Sequence, residues 1–276
     1  MGMRVEDSER ESLARALVAL QRYSVDITEI AAQSLGNQDI ENTDIQLVLT
    51  VHRSGPITPR EIAQHMAAPR STVARALNRL ERVGLTVRIP DDRDRRSVRV
   101  CLTPKGRRRV TTFATRLGDY FTHGEPMLKE AFDLLGVPKP DPDPAAPADP
   151  IAAAEAMGAA GAQYVDEAVE VLRPFGIRDS SDRFTIALLH LYGTQRPTQI
   201  GDELGLTPSG TSGLLARLER EGLITRRHDL TPGDRRAVVV ELTPRGEEAA
   251  DTSLEVFARH APAVANALAL TWRTKS

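Results

Sequence analysis

Hydroxyl and guanidinium side chains near the start of residues 70–82 have the types and spacing that suit contacts with a nucleic acid. Ser71 and Thr72 can donate hydrogen bonds to phosphates or base edges, and Arg75 lies one helical turn further on. The arginine fork matches the O6 and N7 acceptors of guanine, and a good bidentate pair is worth roughly 1 to 3 kcal/mol of discrimination. Phosphate contacts that set the register are predicted for Arg70, Arg79 and Arg82. For the last two, a solvated helix face is the alternative interpretation.

A second charged group, residues 93–96, lies between two runs that alternate as strands do. Asp94 and Arg96 are two residues apart, so in an extended segment they project to the same side and can pair. An arginine braced by an acid can enter a narrow minor groove, whose negative potential attracts it. Arg93 and Arg95 are predicted phosphate contacts. A solvated run of charges is the alternative.

Residues 57–106 contain the elements that would position these groups. Thr58, Pro59 and Glu61 form an N-cap, a first-turn proline and a capping-box acid, which predicts a short helix ending at residues 67–69. A second helix follows, with its apolar residues on one face: Val73, Ala76, Leu77, Leu80 and Val83.

A predicted hairpin completes this segment. Gly84 suits the left-handed residue that closes a helix, and 85–89 alternates as a strand. Val98, Val100 and Leu102 alternate back, after which Thr103 caps another helix. Two helices joined by a tight turn and followed by a charged hairpin make a winged helix-turn-helix.

The order of elements and three stretches of sequence resemble the multiple-antibiotic-resistance regulator (MarR) family. The stretches are STVARALNRLERVGL, the run DRRSVRVCLTPKG and the helix that follows it. The resemblance implies a DNA-binding regulator, more often a repressor, that reads major grooves with its recognition helices and minor grooves with its wings. The family's wing pattern of Asp, any residue and Arg falls on Asp94 and Arg96. Relatives commonly release DNA on binding a small aromatic or lipophilic acid, and no residue here identifies such a ligand site.

The second half of the chain repeats the first. LLARLEREGLITRR at 214–227 repeats ALNRLERVGLTVRI at 76–89, and DRRAVVVELTPRG at 234–246 repeats DRRSVRVCLTPKG at 94–106. The offset rises from 138 to 140 between these blocks, so the second wing should be two residues longer. Its predicted contacts are Asp234, Arg235 and Arg236.

The repeat predicts three segments: a first winged-helix repeat at 1–137, a linker at 138–150 and a second repeat at 151–276. The linker, PKPDPDPAAPADP, has six prolines in thirteen residues and would reach ~40 Å as polyproline. The predicted fold is mainly α with small β wings, in which interlocked dimerisation helices make the tandem repeats an intramolecular pseudodimer. Its reading helices should lie about 34 Å apart, one turn of duplex.

The second predicted reading helix departs from the first. Gly210 and Gly213 stand where Thr72 and Arg75 stand, and residues 208–249 carry seven basic and seven acidic side chains. Repeat one is therefore predicted to supply base readout, while repeat two follows backbone through Ser209, Thr211 and Arg236. The operator should then be asymmetric.

The charge distribution favours a polyanionic partner for repeat one. The chain has a formal charge of -2, yet residues 70–109 hold thirteen Lys or Arg against four Asp or Glu. A basic patch on an acidic body steers DNA to one face. Aromatic residues make up 4% of the chain, which argues against single-strand binding by base stacking.

Other classes of protein are less well supported. The six histidines show no metal-ligand spacing, and no phosphate loop or nucleophile elbow occurs, so neither enzyme activity nor a cofactor nor a metal is expected. The single cysteine, Cys101, is expected to be inert. A polar start and the lack of a long apolar run predict a cytoplasmic protein without a membrane span. A winged-helix scaffold for protein interactions is the alternative function, since residues 208–249 of the second repeat carry no net charge.

Overall fold

The computed structural model describes residues 7–66, 68–91, 97–137, 149–228 and 238–272. These residues form eleven α-helices and two antiparallel two-stranded sheets. The prediction of a mainly helical protein with small sheets is confirmed. Within the described ranges, no helix combines the length and apolar character needed to cross a membrane.

The first repeat opens with one long helix and continues with a winged helix. Helix α1 spans Asp7–Leu35, and its positive-φ Gly36 ends it. The winged helix comprises α2 (Asn42–Ser54), α3 (Pro59–His65), α4 (Arg70–Arg82), β1 (Thr86–Pro90) and β2 (Val98–Leu102).

Local sequence signals explain where these helices begin. Thr58 accepts a hydrogen bond from the Glu61 amide, and the Glu61 carboxylate accepts from the Thr58 amide and hydroxyl. These bonds lower the pKa of Glu61. Thr103 likewise caps α5 (Pro104–His123), and α6 (Glu125–Leu134) follows after Gly124. The predicted caps are therefore confirmed.

The second repeat has the same order with one difference at its end. It comprises α7 (Pro150–Val171), a short 3-10 helix (Arg173–Phe175), α8 (Ser180–Tyr192), α9 (Pro197–Leu204), α10 (Pro208–Arg220), β3 (Ile224–His228), β4 (Val238–Leu242) and α11 (Pro244–Trp272). The first repeat ends in two helices, α5 and α6, whereas α11 is a single helix that continues through Pro262.

The wings pair in equivalent registers. Pro90 pairs with Val98 at the outer end of the first wing, and His228 pairs with Val238 in the second. Seven residues therefore connect the first pair of strands and nine connect the second, which confirms the predicted two-residue insertion. In each wing the returning strand also bridges a residue just before the helix-turn-helix, Ile57 to Val100 and Gln195 to Val240.

A glycine at the start of each post-wing helix allows close packing. A Cβ added to Gly106 would lie 2.1 Å from the Leu85 carbonyl oxygen, and one on Gly246 would lie 2.0 Å from that of Leu223. No side chain fits at such distances. The TPKG and TPRG sequences are thus explained by the approach of α5 and α11 to the residue that precedes each wing.

Contacts divide the chain into two compact units that do not follow the sequence repeats. One, here the first-repeat unit, takes its described residues from 26–125, 141–159 and 270–276. The other, the second-repeat unit, takes them from 1–25, 126–140 and 160–269. Of the predicted linker, 138–148 lie outside the described residues. Asp149 accepts hydrogen bonds from the amides of Ile151 and Ala152, so the last two predicted linker residues begin α7.

Candidate nucleic-acid interface

Helix α4 presents its polar side chains on the face opposite its packing residues. Val73, Ala76, Leu77 and Leu80 are buried. Four of the predicted contact residues are exposed on the other side, namely Arg70, Ser71, Arg75 and Arg82. The predicted amphipathic division of this helix is confirmed, and it leaves a basic, hydroxyl-bearing surface.

Arg75 is exposed on this face and is only weakly held by its neighbours. Its Nη2 lies 3.5 Å from Oγ1 of the half-buried Thr72, at the outer limit of a hydrogen bond. A contact of that length holds the guanidinium weakly. Both edges of the fork can therefore turn toward a planar acceptor pair.

Arg79 has a different role from the phosphate contact predicted for it. Its Nε lies 3.1 Å from Oδ2 of Asp44, and its Nη2 lies 2.9 Å from Oδ1 of Asp44 and 2.7 Å from Oε2 of Glu41. Asp44 is 0% exposed. The hydrogen bonds to Asp44 raise the pKa of Arg79. Its guanidinium is thus engaged inside the protein, where it fixes α4 to the start of α2.

The second repeat contains the same arrangement. Arg217 of α10 donates through Nη2 to Asp182 at 2.6 Å and to Asp179 at 2.9 Å, and Asp182 is 0% exposed. The pKa of Arg217 is raised chiefly by the hydrogen bond to Asp182. We call these two sets the Arg79 clamp and the Arg217 clamp.

Sequence reasoning missed both clamps, although the repeat contains a signal for them. In each repeat the arginine follows its buried aspartate by 35 residues and the outer acid by 38 residues. An Arg and two acids that recur at identical separations in two copies of a domain indicate a shared contact.

Helix α10 offers less polar surface than α4. Ser209 is exposed, as predicted for a backbone contact. The structure contradicts the backbone contact predicted for Thr211. Its side chain is 4% exposed, and its hydroxyl donates to the carbonyl of Thr207. It occupies the position of Val73 in α4, which is also buried, so the register of the repeat already placed it in the core. No neighbouring atom lies within 4 Å of a Cβ built on Gly213.

The described part of the first wing is braced by two arginines. Arg88 donates to Glu81 at 2.8 Å and to Asn78 at 3.1 Å, which connects β1 to α4. Arg99 donates to the Pro56 carbonyl at 2.7 Å and to Asp91 at 3.4 Å. The predicted tip contacts lie outside the described residues: Arg93, Asp94, Arg95 and Arg96 in the first wing, and Asp234, Arg235 and Arg236 in the second.

In the part of the chain that the structure describes, no group of three or more His, Cys, Asp or Glu side chains could hold a metal ion. Cys101 is half-buried on β2.

Two segments of the chain match known family models. Residues 38–97 match the model MarR_2 and residues 183–238 match the model MarR, both described as the MarR family. The matches begin before or within α2 and α8 and extend into the wings. They support a MarR-family regulator with one such domain in each repeat.

Individual relatives cover only part of this chain. The uncharacterized HTH-type transcriptional regulator YfiV of Bacillus subtilis is 40% identical over 23% of this chain and 38% of its own length. YkoM of the same organism, described in the same words, is 33% identical over 33% of this chain and 60% of its own length. The chain thus matches less than two thirds of either protein. A solved MepR–DNA complex of S. aureus is 26% identical over 42% of this chain and 95% of that chain, with a TM-score of 0.35.

Proposed function

We propose that the protein is a sequence-specific, double-stranded DNA-binding transcriptional regulator. The observation that carries the proposal is the exposed face of α4, on which Arg70, Ser71 and Arg75 stand free of core packing within a MarR-family domain. Arginine and hydroxyl groups on an exposed helix suit phosphate oxygens and base edges. In this proposal α4 enters a major groove and the wing reaches the adjacent minor groove.

The two repeats contribute unequally. Arg75 offers a guanidinium fork for guanine, whereas Gly213 stands at the equivalent position of α10 and offers none. Repeat one therefore provides base readout and most of the affinity. Repeat two follows the backbone through Ser209 and the second wing. The operator is then asymmetric rather than palindromic.

Substitutions at Arg75 and Ser209 test this ranking directly. Arg75→Ala should weaken binding to the operator about 5- to 150-fold, the range expected for one bidentate base contact. Ser209→Ala should weaken binding to the operator and to unrelated duplexes by the same factor, because a backbone contact carries no base information, whereas Arg75→Ala should weaken operator binding selectively. Fluorescence anisotropy with a labelled duplex, chosen by footprinting the DNA that flanks the gene, measures both.

A matched control is Arg245→Ala, because Arg245 stacks on Phe175 and donates to the Pro174 carbonyl, so its guanidinium is already bound within the protein. It should bind as the unmodified chain does. Comparable losses for Arg75→Ala and Ser209→Ala would overturn the unequal division. No specific binding by the unmodified chain would overturn the regulatory function itself.

The chain is proposed to act as a single-chain pseudodimer and, by resemblance to its family, as a repressor that a small ligand releases from DNA. Two family domains in one polypeptide support the first part. A ligand that binds more tightly when the reading helices are not spaced for DNA would shift the protein to that arrangement and so release the DNA.

The balanced charge of residues 208–249 favours one other candidate, a winged-helix scaffold that docks proteins. The same anisotropy titration separates the two functions. A scaffold gives no salt-dependent preference for any duplex, and a regulator does.

A further inference from the structure

The contact between the wing and the reading helix differs in the two repeats. In repeat one the guanidinium of Arg88 spans one turn of α4, donating through Nη1 to Glu81 at 2.8 Å and through Nη2 to Asn78 at 3.1 Å. Residues three apart on a helix are neighbours on its surface. Two bonds from one planar fork therefore fix both the distance of the first wing from α4 and its angle. We call this contact the Arg88 brace.

Repeat two keeps the arginine and the acid of the brace but not the amide. Arg226 and Glu219 each follow their counterpart by 138 residues, and at the same offset Ala216 replaces Asn78. Nε of Arg226 lies 3.3 Å from Oε2 of Glu219. Among the described residues, Nε and Nη2 of Arg226 find no hydrogen-bond partner, although both atoms are buried. One ion pair thus draws the second wing to α10, and Ala216 offers no acceptor that would fix its angle.

The base of each wing is held in a similar way. Arg99 ties the first wing to the segment before α3 by donating to the Pro56 carbonyl at 2.7 Å. Thr194, in the segment before α9, donates to Glu241 of the second wing at 3.3 Å. The returning strand of each wing also pairs with that segment. A wing that is held at its base and only loosely at the reading helix can pivot about the base, whereas one fixed at both places cannot.

We propose that Asn78 is a positioning residue that sets the spacing at which repeat one reads DNA. Because the Arg88 brace fixes the angle of the first wing, the base contact of Arg75 and the minor-groove contact of the wing lie a constant distance apart. The second wing adjusts its angle, so repeat two accepts operators of variable spacing. The inference rests on the proposed function, which it refines by naming the residue that determines operator spacing.

A direct contact of Asn78 with adenine is the competing role, since the asparagine amide matches that base. Oδ1 of Asn78 is already the acceptor for Arg88. A bidentate contact with adenine needs both this oxygen and the amide nitrogen, so it would break the Arg88 brace. The residue therefore serves the wing and not a base.

Nitrogen-15 relaxation of the backbone, measured on the full chain without DNA, tests the brace. Asn78 is exposed, and Asn78→Ala should lower the order parameters of the β1 amides from about 0.85, the value of rigid backbone, toward about 0.6. Ala216→Asn, also at an exposed position, supplies Arg226 with an acceptor and should raise the order parameters of the β3 amides. Exchange in both directions controls for the different lengths of the two wings.

Operators of altered spacing test the consequence for recognition. One base pair is inserted between the base pairs whose protection is lost in Arg75→Ala and the adjacent minor groove, and Kd is measured by anisotropy. The unmodified chain should bind the inserted duplex less tightly than the operator. Asn78→Ala should reduce the ratio of the two Kd values by about threefold or more, as expected for a partly exposed hydrogen bond to a charged group. The same insertion on the side of repeat two should weaken binding less.

Asn78→Asp separates positioning from direct contact. Its carboxylate still accepts from Arg88, so the order parameters and the ratio of Kd values should match those of the unmodified chain. Its charge weakens binding to every duplex alike. If Asn78→Asp loses the spacing preference as Asn78→Ala does, the residue contacts DNA itself and the inference fails.

The two measurements distinguish failure of this inference from failure of the proposed function. Unchanged order of the first wing in Asn78→Ala, or an unchanged ratio of Kd values, would overturn the inference while operator binding stands. A chain whose wings respond to both exchanges but which prefers no duplex would fail the proposed function and leave the Arg88 brace in place.

Discussion

The arginine side chains of α4 differ in how firmly the protein holds them. Arg75 and Arg79 are both on α4 and four residues apart, yet Arg75 is exposed while Arg79 is bound by Asp44 and Glu41. The Arg79 clamp fixes α4 to the start of α2. Since α4 carries the proposed base contact, the clamp would hold Arg75 in its orientation toward DNA. Arg79 is a positioning residue in this proposal.

Removal of Arg79 should destabilise the protein more than removal of Arg75. Arg79→Met leaves the buried Asp44 carboxylate without its cation, while Asp44 keeps its hydrogen bond from the Glu41 amide. The expected loss is about 2 to 3 kcal/mol, below the full cost of breaking a buried pair because Arg79 is partly exposed. Arg75→Met should change stability by less than about 0.5 kcal/mol. Urea unfolding followed by circular dichroism measures both, and equal stability of the two variants would contradict the clamp.

Sequence patterns predicted the exposed residues of the site better than its buried supports. The face of α4 follows from helical periodicity, so Arg70, Ser71 and Arg75 could be placed from spacing alone. The partner of Arg79 could not, because Asp44 lies 35 residues away and the contact depends on how two helices pack. The backbone contact predicted for Thr211 rested on its hydroxyl group, whereas its register with the buried Val73 indicates a core position.

At the scale of elements, caps and glycines largely determine where the helices begin and how they pack. Thr58 and Thr103 each accept a hydrogen bond from a first-turn amide, as their sequence context predicted, and Thr207 does the same at the start of α10. The continuity of α11 could not be predicted in this way. Its counterpart in repeat one is interrupted at Gly124, while α11 tolerates a proline in its interior.

Substitution of Gly213 should both stabilise α10 and change its function. The position is exposed and has open space around it, so Gly213→Ala should add about 0.5 to 1 kcal/mol of stability. Gly213→Arg places a guanidinium at the position equivalent to Arg75. Under the proposed function it should also tighten operator binding where a guanine lies beneath α10.

Gly210→Ala is the contrasting variant for this prediction. A Cβ there would lie 3.3 Å from Oγ1 of Thr207, the atom that caps α10. The neighbour must shift at the expense of the cap, so this variant should gain less stability than Gly213→Ala. A larger gain at Gly210 would contradict this account of the helix, as measured by thermal unfolding.

The excess of positive charge in this protein lies in the first repeat. Residues 70–109 carry an excess of nine positive charges, while residues 208–249 are balanced. Interactions with phosphates should therefore come mostly from repeat one, although the protein as a whole is slightly acidic. The order of residues in the sequence reveals this distribution without a structure, because the count depends on position in the chain and not on folding.

Salt dependence should report this asymmetry. The logarithm of the DNA association constant should fall linearly with the logarithm of salt concentration, by about 0.9 for each phosphate contact. Arg70→Gln should reduce the slope by about 0.9. Arg220→Gln, which removes an exposed charge from α10, should leave the slope nearly unchanged. Equal effects of the two variants, in anisotropy titrations at several salt concentrations, would contradict the assignment of phosphate contacts to repeat one.

The presence of both family domains in one polypeptide has a consequence for inheritance. In a homodimer a single codon specifies both halves, so every mutation is expressed twice and must be tolerated in both places. Here each half has codons of its own. Gly213 of α10 can therefore differ from Arg75 of α4, and Arg183 of α8 from Ile45 of α2, so that one half is free to acquire a new role under selection that still preserves the other.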